Sequence, residues 1–327
     1  MKGLKKILYL SQSDVAGIGL GMAEIIDIVE RVFQEKAKGN VEMPPKPGIH
    51  PAPDAFIHAM PAYVPALSGA AVKWVSGYPQ NLGKGLPYIT GLLILNDPET
   101  GIPLSVMDAV WITAMRTAAV SAVAAKHLAN PEPKTLAIIG CGVQGRSHTE
   151  AMSVAFPSID TVKAYDVSLG NLDRYADEMS RRFAKLAIGK CSSPHEAVTD
   201  ADIIVTAGPI KKTPEPGIEA GWVKPGVFAS PVDFDTYWTR EALQEFGKII
   251  TDDVPQFHYY RQNGYFGVFP EIYADLADIV SSAKPARESA DERIMSMHLG
   301  LAIEDAAVAR RLYDMAVESG VGKWLER

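Results

Sequence analysis

Lys134-Thr-Leu-Ala-Ile-Ile-Gly-Cys-Gly-Val-Gln-Gly-Arg-Ser-His148 is the stretch from which the fold can be read. Residues 136–139 form a short apolar run of the kind that makes a buried strand, and Gly140-Cys-Gly-Val-Gln-Gly145 follows at once. This is G-x-G-x-x-G with a strand before it and a helix after it, the context in which that spacing is informative. Gly140 permits a tight turn, Gly142 removes the Cβ that would hold a pyrophosphate away, and Gly145 lets the helix pack closely on the strand. The helix start at Val143 and Gln144 then presents N–H groups and a partial positive charge to phosphate. A second strand over 161–165 ends in Asp166, roughly 20 residues past Gly145, where the ribose-binding acid of such a unit belongs. A lone glycine pattern is equally an ordinary strand–helix turn, but that reading leaves the acid unexplained. Asp166 can accept hydrogen bonds from the ribose hydroxyls and repels a 2′-phosphate. Val167-Ser-Leu-Gly-Asn171 offers no Arg or Lys to receive that phosphate. The expected cofactor is NAD, held by Gly140, Gly142, Val143, Gln144, Gly145 and Asp166.

Downstream, strand and helix continue to alternate. A helix is expected over 171–183, and Ser193-Pro-His-Glu196 reads as a capping box with Pro at the first helical position. Short buried strands are expected over 203–206, 227–229 and 248–251, which makes a doubly wound sheet. The tail from Ser289 reads as helical, with Gly320 as its stop.

Upstream the pattern changes. The opening residues, ending in Ile7-Leu-Tyr-Leu10, read as a first strand too short for a signal peptide. Ser11-Gln-Ser-Asp14 offers caps ahead of a single early helix, whose apolar spacing runs over 22–33 and which Gly39 closes. Five prolines over 43–53 exclude regular helix or central strand and leave an ordered loop or edge segment. Strands are expected over 56–63 and 70–76, followed by a hairpin over 88–107 about the turn Asp97-Pro-Glu-Thr-Gly101. A long Ala-rich helix over 111–128 then leads toward the glycine loop and carries the domain crossing.

Composition narrows the function classes. With 327 residues the chain has room for two cores. Its net charge of −7, without any basic block, argues against a nucleic-acid partner. No run approaches a membrane span. Two cysteines, Cys141 and Cys191, imply no disulfide framework and point to the cytoplasm. Cys141, inside the glycine loop, reads as packing. His50, His58 and His258 form no pattern with metal-ligand spacing, so no metal is expected. The aromatic run around Tyr259, Tyr260, Tyr265 and Phe266 reads as core and loop packing.

A dinucleotide unit identifies a cofactor and not a substrate. Two charges stand where charge is awkward. Lys73 lies inside the strand Ala70-Ala-Val-Lys-Trp-Val-Ser76, and Arg116 inside Thr113-Ala-Met-Arg-Thr-Ala-Ala119, among side chains small enough to leave room for a ligand. Either alone is as readily a snorkelling or salt-bridged side chain. Together they suggest capture of a carboxylate, with Arg116 as a planar bidentate clamp. Lys73 adds charge, or moves a proton if burial lowers its pKa.

Around these residues the chain resembles the ornithine cyclodeaminase/μ-crystallin family. The resemblance rests on Val72-Lys-Trp-Val-Ser-Gly-Tyr-Pro-Gln-Asn81, Asp97-Pro-Glu-Thr-Gly-Ile-Pro-Leu104, Ala114-Met-Arg-Thr-Ala-Ala-Val-Ser121, the glycine loop and the tail Gly300-Leu-Ala-Ile-Glu-Asp-Ala-Ala307. It implies an NAD(P)-dependent enzyme acting at the Cα of an amino or imino acid, with the matching Lys and Arg holding the substrate carboxylate. It also implies a homodimer built through the domain that lacks the glycine loop. The fold expected is therefore α/β: a Rossmann-type doubly wound NAD-binding domain over 119–299, plus a mixed α/β substrate-binding and dimerisation domain over 1–118 completed by a C-terminal helix over 300–327.

Two departures from the family matter. Where the family has an Arg, Pro44-Pro-Lys-Pro47 offers Lys46, a point charge in place of a fork, as a further substrate contact. Where the family has a catalytic Asp in a Gly-x-Asp-x-Pro-Gly-Lys type segment, this chain has Ala229-Ser-Pro-Val-Asp-Phe-Asp-Thr-Tyr-Trp238. Asp233 or Asp235 could serve as the acid, and Asp233, closer to the strand end, is preferred. The bland reading of both is a cap for the helix after Thr239. Losing the Gly-Lys element argues against ornithine as substrate. The competing function is a nucleotide-bound ligand-binding protein of μ-crystallin type without turnover.

Overall fold

The computed structural model describes residues 5–327, so the first four residues of the opening stretch lie outside it. Contacts divide the chain into two units, Met1–Arg116 with Gly300–Arg327, and Thr117–Leu299.

The first unit begins with β1 (Lys6–Leu10), α1 (Gln12–Gly17) and α2 (Met22–Ala37). Sequence led to one early helix; there are two. Ser11 and Asp14 form a reciprocal capping box on the short α1, while α2 starts from Gly21 without a side-chain cap. Gly19, at φ +87°, lies in the break between them. The apolar stripe Ile25, Ile26, Val29, Val32 and Phe33 of α2 is buried. The proline-rich stretch contributes only the two-residue strand β2 (Gly48–Ile49) at the sheet edge. Strands β3 (Phe56–Val64), β4 (Gly69–Gly77), β5 (Ile89–Asn96) and β6 (Pro103–Asp108) follow as antiparallel neighbours. At the β5–β6 turn Asp97 accepts hydrogen bonds from Glu99 N (3.1 Å) and Thr100 Oγ1 (2.6 Å). Helix α3 (Val110–Leu128) then carries the chain across the boundary between Arg116 and Thr117.

The second unit holds β7 (Thr135–Ile139), α4 (Val143–Ala155), β8 (Thr161–Tyr165), α5 (Leu169–Arg182), β9 (Ala187–Lys190), α6 (Pro194–Val198) and β10 (Ile203–Thr206). After these come β11 (Phe228–Pro231), α7 (Arg240–Leu243), β12 (Lys248–Thr251), α8 (Val254–Gln262), β13 (Ala274–Asp275), α9 (Leu276–Val280) and β14 (Ile294–Met297). All eight strands are parallel, in the order β13-β12-β14-β11-β10-β7-β8-β9. From β7 the chain winds outward to β9, then returns to β10 and winds the other way. That reversal places the crevice of a doubly wound sheet between the C-terminal ends of β7 and β10.

Two local expectations fail here. The stretch after Ser289 is not helix: Ile294-Met-Ser-Met297 is fully buried between β11 and β12, where a run without polar alternation suits a central parallel strand. At α6 the Ser193 side chain does accept from Glu196 N, but the Glu196 carboxylate bonds Ser192 N at 2.7 Å rather than Ser193. The box is half made, and shifted by one residue on its second arm.

The chain then returns to the first unit with α10 (Ala302–Ser319), stopped at Gly320 (φ +70°), and β15 (Lys323–Glu326). The first sheet runs β15-β1-β6-β5-β4-β3-β2. One of its faces is covered by α10, which packs on β3, β4 and α2. The other carries Tyr9, Trp74, Leu92 and Ile94, all exposed, with Trp74 opposite Leu92 in the β4–β5 register. Among the described residues no helix is long and apolar enough to cross a membrane.

Candidate functional site

The loop from β7 into α4 is built on close backbone approaches. Gly140 has φ +100°, and a Cβ there would lie 2.7 Å from Ala207 O, at the end of β10. A Cβ on Gly145 would collide with Gly140 O and press on Ile138 of β7, so only glycine brings α4 this close to its strand. Gly142 caps α4 with no side-chain bond, and a Cβ there would meet nothing within 4 Å. The start of α4 thus presents Val143 and Gln144 amides to open space, a fit for a pyrophosphate. Arg146, which the sequence reading passed over, donates from Nη1 to the carbonyls of Cys141 and Gly142 and from Nε to Glu178 at 2.7 Å. It holds the loop from behind by its acceptors and leaves the loop amides alone.

Asp166 sits at the end of β8, next to β7. One of its oxygens accepts from Cys141 N and the other from Ser168 N, each at 2.8 Å. These bonds hold the Asp166 carboxylate beside the first residue after Gly140. Cys141 itself is buried, and burial pushes its thiol up to about 12, which makes it inert packing.

Past β11 the two candidate acids are not equivalent. Asp233 is excluded from solvent; Oδ1 accepts from Thr206 Oγ1 (2.6 Å) and Oδ2 from Gly208 N (2.8 Å). Burial nevertheless drives its pKa up to about 7. Asp235 is 8% exposed, and its carboxylate lies close to its own amide. Its pKa is also raised, by burial. Neither is the cap that the bland reading made it: Thr239 caps α7, accepting from Ala242 N. Between the two acids Phe234 has φ +63°, a left-handed conformation that costs a bulky residue about 1–3 kcal/mol. Packing holds it there, since its ring meets Phe266 at 5.0 Å, Tyr260 at 5.6 Å and Tyr265 at 5.8 Å. The aromatic run is therefore packing, as expected, and it pins the residue from which both aspartates diverge.

In the first unit Lys73 and Arg116 do come together, around a partner the sequence reading missed. Lys73 points from the buried face of β4, where Nζ lies 2.7 Å from Asp305 Oδ2 and 3.2 Å from Thr113 Oγ1. Arg116 Nε donates to Asp305 Oδ1 at 3.1 Å and Nη1 to Glu304 Oε2 at 3.0 Å. Both acids stand in the first turn of α10, where carboxylates also oppose the helix dipole favourably. The start of α10 lies close against Arg116. A Cβ on Gly300 would lie 2.7 Å from Arg116 Nη1. Burial, with Arg116 adding repulsion and Asp305 opposing both, brings Lys73 down to about 8. Lys46 is buried too and donates to Gly300 O at 3.1 Å, at the entry to the same helix. His58, a weak candidate from sequence, lies in this neighbourhood and is held neutral, its pKa lowered to about 3 by burial and then by Lys46. His50 and His258 are exposed.

Glu304 and Asp305 were visible as two adjacent acids in an otherwise apolar, Ala-rich helix start, which is the same signal that singled out Lys73. Also unforeseen is a buried set in the second unit, Ser121, His148, Ser230, Ser296 and His298, linked by hydrogen bonds.

A sequence model of the Ornithine cyclodeaminase/mu-crystallin family matches residues 6–320. The protein is 35% identical to the nodulation efficiency protein NfeD of Rhizobium meliloti over 97% of each chain. It is 34% identical to the alanine dehydrogenase of Archaeoglobus fulgidus, over 96% of this chain and 97% of that one. Among solved structures, the Delta(1)-pyrroline-2-carboxylate reductase of Thermococcus litoralis, in complex with NADH and L-proline, matches with a TM-score of 0.88 at 34% identity. That match covers 97% of this chain and 99% of the other.

Proposed function

Because the chain belongs to the ornithine cyclodeaminase/mu-crystallin family, we propose that it is an NAD-dependent oxidoreductase acting at the Cα of a small α-amino or α-imino acid. The observation that carries the reading is the convergence of Lys73 and Arg116 on Asp305, all nearly excluded from solvent. Asp305 and Glu304 balance these two charges, and Lys46, a third cation in the same unit, leaves the set with an excess positive charge for a further carboxylate.

The Thr117–Leu299 unit supplies the dinucleotide cradle, and NAD is favoured over NADP by Asp166. When bound, the nicotinamide accepts or supplies the hydride. In the oxidative direction the Cα–H bond breaks and the nitrogen lone pair completes a C=N bond; water then adds and ammonia leaves, giving a keto acid. The reverse reaction reduces an imine, formed from a keto acid and ammonia or already closed in a ring. Holding the carboxylate fixes Cα in place, which is catalysis by orientation. A proton must also move at nitrogen or water. Hydrogen bonding favours Asp235 for this over Asp233, because Asp233 is committed to Thr206 and Gly208 while Asp235 keeps its carboxylate available. Asp233 then serves to hold the end of β10.

The apolar face with Trp74, Leu92 and Ile94 supports a homodimer formed through the first unit's sheet. Unpaired, buried Cys141 and Cys191 suit a reducing, cytoplasmic compartment.

The test is nicotinamide absorbance with a panel of small 2-keto acids plus ammonia and of cyclic imines, and in reverse with the matching amino acids. Turnover on a member of the panel supports the enzyme. Tight NADH and ligand binding without any absorbance change would leave the alternative, a dinucleotide-bound ligand-binding protein.

A further inference from the structure

In the second unit, five polar side chains from α3, α4, β11 and the end of β14 are buried as one hydrogen-bonded set. Ser121, His148, Ser230 and Ser296 have no exposed surface, and His298 has 3%. None of them belongs to the glycine loop or to the Asp233–Asp235 segment.

The direction of these bonds follows from one carbonyl. His148 Nδ1 lies 2.7 Å from Gln144 O, and a carbonyl only accepts, so Nδ1 carries the ring proton. The neutral ring then has a bare Nε2, which must accept. Ser121 Oγ, 2.9 Å away, is the donor. Its other acceptor, Thr117 O at 3.3 Å, makes the longer bond and would leave His148 Nε2 buried without a donor. With its proton committed, Ser121 accepts from Ser230 Oγ at 2.9 Å and from His298 Nδ1 at 3.3 Å. Ser296 Oγ lies 2.9 Å from the other nitrogen of His298. Donation thus runs one way, from β11 and β14 through Ser121 and His148 to Gln144 O.

Gln144 stands in the first turn of α4, two residues past Gly142. Its carbonyl already has the partner any helix provides, the amide four residues on, so His148 is not needed to satisfy it. Apolar side chains would fill this space without the desolvation cost of two imidazoles and three hydroxyls. We infer that His148 is a positioning residue for the dinucleotide: through Ser121 it ties the phosphate-facing turn of α4 to the central strands β11 and β14. This rests on the dinucleotide reading above.

Two substitutions separate the halves of the link. His148→Asn places an amide near the Nδ1 position and keeps the bond to Gln144 O while losing Ser121. His148→Gln reaches Ser121 and gives up Gln144 O. Each variant breaks the link at one end, so NADH titration by fluorescence should show a loss in both. Both should bind NADH about three- to tenfold more weakly than wild type. Wild-type NADH affinity in both variants, whatever their melting temperatures, overturns the inference and returns the set to plain packing. Should neither variant fold, Ser121→Ala is expected to weaken NADH by about threefold or more, and unchanged affinity overturns the inference equally. Nitrogen NMR of the wild type gives an independent reading: His148 should be the Nδ1–H tautomer, and an Nε2–H ring contradicts the link. A wild-type protein that fails to bind NADH at all would instead sink the dinucleotide reading, and this inference with it.

Discussion

Lys73 Nζ and Asp305 Oδ2 stand 2.7 Å apart, with neither side chain reaching solvent. The pair joins the middle of β4 to the first turn of α10, and Arg116 closes it from the other side of the same carboxylate. A buried pair of this kind stabilises little by itself, because desolvation offsets the attraction. Its value is in poise. On the proposed function a substrate carboxylate would be the third here, after Asp305 and Glu304, and would meet cations already desolvated.

The pH dependence should show it. Lys73 titrates near 8 in the folded chain against 10.5 for an ordinary lysine. Between those values the unfolded state binds more protons, so the contribution of Lys73 to stability rises with pH across that window. Carboxylate binding goes the other way, because the cation disappears above about 8. The kcat/KM for a carboxylate substrate should therefore fall on a basic limb near pH 8, and Lys73→Arg should push that limb upward. A profile flat to about pH 10 would remove Lys73 from the binding site.

Arg116→Lys keeps the charge and loses the fork. It should lower kcat/KM by roughly 30- to 1000-fold, the equivalent of about 2–4 kcal/mol in transition-state binding. Because Arg116 also holds Glu304 and Asp305, the melting temperature should drop as well. Lost stability with unchanged steady-state kinetics on an accepted substrate would make Arg116 a structural ion pair alone.

Replacing Asp166 by Ser should erode the preference for NADH over NADPH, since the group that repels a 2′-phosphate is gone. The ratio of the two dissociation constants should shift by about tenfold or more toward NADPH. Equal affinity of the wild-type protein for both would mean that the carboxylate, held by Cys141 N and Ser168 N, does not face the ribose.

For the two acids past β11 the expected effects are opposite in kind. Asp233→Asn puts an amide where Thr206 Oγ1 and Gly208 N both donate, so one donor is left facing another. It should cost about 1–3 kcal/mol of stability. Asp235→Asn should leave melting nearly unchanged and lower kcat by about an order of magnitude or more. Measuring both quantities on both variants decides between them, and a reversed pattern would hand the proton transfer to Asp233.

Much of this was legible in the chain. The glycine loop between a strand and a helix, with Asp166 at the right distance, announces a parallel doubly wound sheet because each element of that motif has one physical job. Lys73 and Arg116 stood out because charge inside a β-branched strand and an Ala-rich helix needs a reason. What resisted reading is non-local. Nothing near Arg116 in sequence says that Glu304 and Asp305 return to meet it from the far end of the chain. The stretch over 294–297 read as helix because a fully buried parallel strand has no alternation to betray it. Asp233 looked closer to the strand end, and its hydrogen bonds to Thr206 and Gly208, more than twenty residues back, could not be read from the chain. The caps at Ser11 and Asp14 were genuine, but served a helix too short for its own periodicity to be seen.

Hydride arriving at Cα is the step on which the proposed reaction stands, and isotopic transfer follows it directly. NADH carrying deuterium on the transferable face of C4 is turned over with a keto acid and ammonia, or with a cyclic imine, and the product amino acid is examined by mass spectrometry and NMR. One deuterium on Cα is expected for each nicotinamide oxidised. Oxidation of the nicotinamide with no deuterium at Cα, or no product from any member of the panel while NADH remains bound, would contradict hydride transfer to that carbon.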